Sequence, residues 1–155
     1  MGDNVNPVPE GFHTVTPYVT VRGAAGAIQF YKQAFGAREI FRWTDSDGDI
    51  RHAEVVIGDS PIMLTDEAPE FGMSGPQSPG ASPVHMFLYV EDADAVFDRA
   101  VAAGATELMP VEESHDGDRR GGVTDPYGHV WYVATHIENI SREDLQKRYE
   151  GAVGR

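Results

Sequence analysis

The sequence predicts an α+β fold built from two copies of a strand-helix-three-strand (βαβββ) module. Short stretches with apolar alternation at period 2 surround two longer ones with period 3.6, and they run in the order β, α, β, β, β twice. The second run follows the first at a nearly constant offset. Val19 and Val21 align with Leu88 and Val90 at 69 positions, Gly36-Ala37 with Gly104-Ala105 at 68, and Gly58 with Gly128 at 70.

Residues 14–21 alternate and are rich in β-branched types, the pattern of a strand, with Pro17 favouring an edge or a strand start. Residues 24–35 place Ala24, Ala27, Ile28, Tyr31 and Phe35 at helical spacing, and Gly36 stands where a helix-closing glycine is expected. Strands follow over 38–44, 50–57 and 61–65, separated by turns at Asp45-Ser46-Asp47-Gly48-Asp49 and Gly58-Asp59. The second module predicts strands over 84–90, 107–112, 119–124 and 129–136 and a helix over 93–103 closed by Gly104. The expected organisation is a flexible N-terminal segment (1–11), the first module (12–67), a Pro/Gly-rich linker (68–83), the second module (84–137) and a tail (138–155). Ser141, with Asp144 three residues on, predicts a short helix in that tail over 141–149.

Composition excludes several classes of function. Twelve basic against twenty-five acidic residues give a formal charge of −13, which repels nucleic acid and anionic membranes at long range. With no cysteine there are no disulfides, thiolate nucleophiles or zinc-thiolate sites, and a reducing compartment fits. No stretch approaches the roughly 20 apolar residues of a membrane span, and the first eleven residues lack a secretory pattern, so the cytoplasm is expected. Gly23-Ala24-Ala25-Gly26 lacks the lysine of a phosphate loop, and no serine nucleophile elbow occurs.

Four strings carry a family resemblance: Thr16-Pro17-Tyr18-Val19-Thr20-Val21; residues 27–37, AIQFYKQAFGA; residues 52–59, HAEVVIGD; and Asp118-Arg119 followed by residues 125–131, DPYGHVW. Over residues 12–140 the chain resembles the vicinal-oxygen-chelate superfamily of glyoxalases, bleomycin-resistance proteins and extradiol dioxygenases, and its details look like the PhnB-like branch. The resemblance implies a curled mixed sheet with helices on its outer face. It also implies a small-molecule ligand and a homodimer. Names in this branch come from phosphonate metabolism and a ubiquinone methyltransferase, yet no methyl-donor motif is visible here.

Given that architecture, period 2 assigns the faces. Val15, Val19 and Val21 suit the helix side, leaving Thr16, Tyr18 and Thr20 for the cleft; Ala53, Val55 and Ile57 suit it, leaving His52 and Glu54; Met86, Leu88 and Val90 suit it, leaving His85, Phe87 and Tyr89. Metalloenzymes of the superfamily take His, Gln or Glu ligands from the first and last strands of each module. The matching positions here are Thr16, His85, Tyr132 and one within 62–66, where Thr65 or Asp66 is the best candidate. Only His85 is firmly a ligand type. No metal residues are therefore assigned, the ligand positions do not support a divalent ion, and no other cofactor is named.

The candidate catalytic residues are His52, Glu54 and His85, and the candidate ligand-binding residues are Tyr18, Phe87, Tyr89 and Tyr132. His52 and Glu54, one strand repeat apart, form either an acid/base pair or a structural ion pair. His85 reads more simply as a polar cleft residue than as a metal ligand. His129 reads as solvated or capping, His13 and His136 as strand-end residues without a named partner. His115, Asp116 and Asp118 read as a solvated acidic loop, and Trp43 and Trp131 as core. The leading function is a small-molecule-binding protein that sequesters an antibiotic-like or metabolite ligand. The alternative is a lyase, isomerase or oxygenase using the His and Glu residues for proton transfer, with or without a divalent metal. A regulatory or structural role ranks third.

Overall fold

The structure, a computed structural model, describes residues 5–153. Residues 1–4 of the expected flexible segment and the last two of the tail lie outside the described residues. The chain divides into two compact units, one ending at Ser78 and the other beginning at Pro79.

In the first unit the elements are β1 (Tyr18–Val21), α1 (Ala24–Phe35), β2 (Arg38–Thr44), β3 (Ile50–Ile57) and β4 (Ser60–Asp66). They form a four-stranded mixed sheet in the order β1-β4-β3-β2, with β1 parallel to β4 and the other pairs antiparallel. The second unit repeats this with β5 (Met86–Tyr89), α2 (Ala93–Ala102), β6 (Thr106–Glu113), β7 (Asp118–Thr124) and β8 (Val130–His136), in the order β5-β8-β7-β6. The chain is thus α+β, two four-stranded mixed sheets with three helices. Registers confirm the duplication to the residue: Tyr18 pairs with Met63 and Phe87 with Tyr132, both partners displaced by 69 positions.

Helix α1 buries Ala24, Ala27, Ile28, Tyr31 and Ala34 against Val19, Val21, Ala53, Val55 and Leu64 of the sheet. Burying Tyr31 or Ile28 alone stabilises the unit by roughly 1.5–3 kcal/mol. Gly36, at φ 68°, ends the helix, its N–H and that of Ala37 donating back to the Lys32 and Tyr31 carbonyls. In the second unit α2 begins at Asp92, whose carboxylate accepts the Ala95 N–H at 3.1 Å, and it covers β7 at Gly121. A Cβ on Gly121 would lie 2.9 Å from the Phe97 ring and 2.7 Å from Val111, so no larger residue fits under the helix.

Each module closes its strand-helix junction from the end of its last strand. Asp66 accepts the Gly23 and Ala24 N–H groups on one oxygen, at 3.0 and 2.6 Å, and the Ile50 N–H on the other at 2.7 Å. Thr135, 69 positions later, accepts the Ala93 N–H at 2.8 Å and donates to the Val90 carbonyl at 2.9 Å. The hairpins repeat as well. Asp45 accepts the Asp47 and Asp49 N–H groups, and Asp125 those of Tyr127 and His129.

Several local expectations are corrected. The first strand begins at Tyr18, four residues later than expected, because Pro17 has no N–H for the ladder; Val15 is 83% exposed, off the helix side. Trp131 is core, but Trp43 is 57% exposed and pairs with His52 across β2 and β3. His129 is buried beneath the Asp125 turn. The stretch after β4 holds a 3-10 turn at Pro69–Phe71, a bridge between Ala68 and Met73, and a Gly75 N–H donating to Glu67. The tail helix, α3 (Arg142–Val153), is longer than expected.

Replacing Asp66 by Ala is expected to lower stability by about 2–3 kcal/mol in chemical denaturation, since three charge-assisted bonds to backbone are lost. Gly121→Ala is expected to cost about 1–3 kcal/mol by overpacking.

Candidate functional site

The face of each sheet opposite its helix is the open face, and strand registers align side chains there in rows. In the first unit one row runs Phe41, Glu54, Met63, Tyr18 across β2, β3, β4 and β1. The matching row of the second unit runs Met109, Gly122, Tyr132, Phe87. A carboxylate in one module is therefore a glycine in the other. A Cβ on Gly122 would stand 3.0 Å from Met109 and 3.3 Å from the Tyr132 ring, so a side chain there would crowd both.

Tyr18, His52 and Glu54 meet on the first open face. The Tyr18 ring stacks on His52 with centroids 5.6 Å apart, and its hydroxyl lies 3.4 Å from His52 Nδ1. His52 Nε2 lies 3.2 Å from Glu54 Oε2, so the imidazole with its proton on Nε2 donates to the carboxylate and accepts from the phenol. This chain of groups can bind a polar ligand group or pass a proton. Phe41 and Trp43 flank it from β2, half exposed.

On the second open face His85, Phe87, Tyr89 and Tyr132 come together. His85 Nδ1 is 3.3 Å from the Tyr132 hydroxyl, and the Phe87 ring lies 5.2 Å from Tyr89 and 5.8 Å from Tyr132. The candidate residues thus assemble as two sets, one in each unit.

A polar cluster beside the second set was missed in the sequence. Asp118 is 4% exposed, not part of a solvated loop: it accepts from the Tyr89 hydroxyl at 2.9 Å and from His136 Nδ1 at 2.9 Å. Arg120 pairs with Asp116 and places its guanidinium carbon 5.7 Å from the centre of the Phe87 ring, a cation–π contact. Burial, then the Asp118 carboxylate, pushes the Tyr89 phenol above its ordinary value. Burial favours the neutral form of Asp116, yet Arg120 holds it below the usual carboxylate range. Both nitrogens of His136 face oxygen acceptors, Asp118 and Asn139, so the Asp118 bond foremost raises its pKa. The available signal was period 2 on β7: residues 118, 120 and 122 share the open face, but consecutive Arg and Gly pairs hide the alternation.

The fourth metal position is also corrected. Register places Met63, not Thr65 or Asp66, opposite Tyr18 where Tyr132 stands opposite Phe87, and Asp66 is committed to three backbone N–H groups. Among the described residues no three His, Asp or Glu side chains group as they would to hold a metal ion.

Residues 11–133 match the model of the glyoxalase/bleomycin resistance protein/dioxygenase superfamily. The chain belongs to this superfamily. An uncharacterised Mycobacterium tuberculosis protein, Rv0887c, is 38% identical over 149 residues, spanning 94% of this chain and 84% of that protein. The crystal structure of the Arabidopsis thaliana At5g48480 gene product is 31% identical with a TM-score of 0.63, covering 79% of this chain and 98% of that one. The fosfomycin resistance protein FosX from Listeria monocytogenes shares the fold at 17% identity, with a TM-score of 0.64 over 86% of this chain and 97% of its own. Among the described residues no helix is long and apolar enough to cross a membrane.

His136 sets a pH dependence. Its folded-state pKa lies above the ordinary 6.5, so its contribution to stability is fully present below that value and is lost as pH rises through the raised one. Denaturation midpoints of the protein and of His136→Gln, measured across this window, should differ most at the acid end and converge on the alkaline side.

Proposed function

We propose that the protein binds a small antibiotic-like or metabolite molecule on its open sheet faces and sequesters it. The observation that carries this reading is the aromatic wall of Phe87, Tyr89 and Tyr132, in which Tyr89 is 61% and Phe87 47% exposed. His85 and Arg120 add polar groups that fix a ligand's orientation. Membership of a superfamily that includes both resistance proteins and enzymes is consistent with it. The resemblance to the PhnB-like branch belongs to the same reading, as does a homodimer, in which a second copy covers exposed strand edges. A chain without cysteine fits the cytoplasm.

A second reading, a metabolite lyase, isomerase or oxygenase, is favoured by the Tyr18–His52–Glu54 chain, where the imidazole sits between a phenol and a carboxylate. Under it His52 shuttles the proton, Glu54 holds the tautomer, and His85 serves as a further acid or base.

Tyr132→Ala and Phe87→Ala are expected to weaken ligand binding by about 1–3 kcal/mol in calorimetric titration against a compound panel, with little change in melting. His85→Ala and Glu54→Ala should likewise leave melting nearly unchanged, whereas Val55→Ala, fully buried on the helix side, should cost about 1–3 kcal/mol. If the polar replacements unfold the protein as badly as Val55→Ala, the residues are structural. Light scattering should give twice the 16.9 kDa chain mass; a clean monomer refutes the dimer.

A further inference from the structure

On the first unit, residues 7–16 run across the open face and are pinned at two points. His13 Nε2 lies 3.1 Å from the Asp59 carbonyl, and the Pro17 carbonyl accepts the Met63 N–H at 3.0 Å. Just ahead of the first pin a turn, with the Phe12 N–H donating to the Pro9 carbonyl at 3.0 Å, sets a half-buried Phe12 toward the sheet. The segment and the sheet enclose two hollows that share Phe12 and Glu54.

The hollows differ in charge. One, of about 300 Å³, is lined by Arg38 as well as Glu10, Glu54 and Asp59, so a cation meets a guanidinium there. The other, of about 460 Å³, has no Lys or Arg in its lining, and Glu54 is its one carboxylate. Pro7, Pro9, Phe12 and Met63 give it apolar walls, and Thr14 and Thr16 supply hydroxyl acceptors. Glu54 is 18% exposed; His52 engages its Oε2, and its Oε1 has no hydrogen-bond partner among the described residues.

We propose that this hollow is a seat for a primary amine with a compact apolar body, its ammonium on Glu54 and its body between Phe12 and Met63. The inference rests on the small-molecule reading and names the ligand class of its first-unit site. A half-satisfied carboxylate in an apolar recess favours a donor that brings its own positive charge, because the charge-assisted bond offsets the desolvation of both groups. Phe12 contributes an aromatic ring and Met63 a polarisable thioether to the lining, groups that accept an apolar body and tolerate variation in its shape. The −13 formal charge of the chain steers a cation toward it.

The test is titration of the full-length protein with benzylamine, benzyl alcohol and benzoate, followed by backbone amide NMR shifts. Benzylammonium should bind at least roughly tenfold more tightly than benzyl alcohol, with shifts centred on Phe12, Glu54 and Met63, and benzoate should not bind. Glu54→Gln should bring the amine down to the affinity of the alcohol. Phe12→Ala, outside any strand, should weaken both alike. Equal binding of amine and alcohol, unchanged in Glu54→Gln, overturns the amine assignment and leaves the small-molecule reading standing. So does a shift pattern confined to Phe87 and Tyr132. If no compound of any charge shifts either open face, both readings fail.

Discussion

The position of each sheet's functional side chains depends on the bond between the end of the last strand and the start of the helix. Asp66 in one unit and Thr135 in the other hold the strand-helix corner from the adjacent strand. That corner fixes where the first strand and its parallel pairing end, and the pairing sets which residues share a row on the open face. A shift of one residue in this register would turn Tyr18 and Phe87 toward the helices and bring Val19 and Leu88 into the open. The two residues solve the same problem differently. The Asp66 carboxylate accepts from three N–H groups, whereas the Thr135 hydroxyl accepts from one and donates its own hydrogen bond to a carbonyl.

On that shared frame the modules have diverged in chemistry while keeping geometry. The first carries its ionisable groups in the middle of the sheet, on β3, where His52 and Glu54 lie between aromatic neighbours. The second is apolar along the matching row and places its charges one and two rows further along, on Arg120 and Asp118. Asp118 is the more constrained centre, since its two oxygens lie between a phenol and an imidazole and the carboxylate itself is almost closed to solvent. Glu54 keeps an oxygen unspent.

The order of elements, the duplication and the helix faces were legible because they rest on periodicity and on glycines at turns, which local sequence encodes. Tyr18, His52, Glu54 and the set around Tyr132 were legible for the same reason: once a strand is placed, alternation assigns its faces. Asp118, Arg120 and His136 were not, because their meaning lies in pairing between β7 and β8, and an acidic loop looks alike whether solvated or buried. Trp43 misled in the other direction, as size and hydrophobicity argue for the core while its register sets it beside His52. Asp66 drew attention as a ligand type near a metal position, and only its hydrogen bonds reveal a structural duty.

Gly122 makes the divergence hard to undo. With Met109 and the Tyr132 ring 3.0 and 3.3 Å from where its Cβ would stand, any side chain added there requires both to give by a few tenths of an ångström. A carboxylate introduced there, where the first module keeps Glu54, would therefore loosen the packing of the Tyr132 ring and Met109. The contrast between a carboxylate at the centre of one sheet and a packed ring at the centre of the other is thus favoured by the shape of the second site as well as by its chemistry.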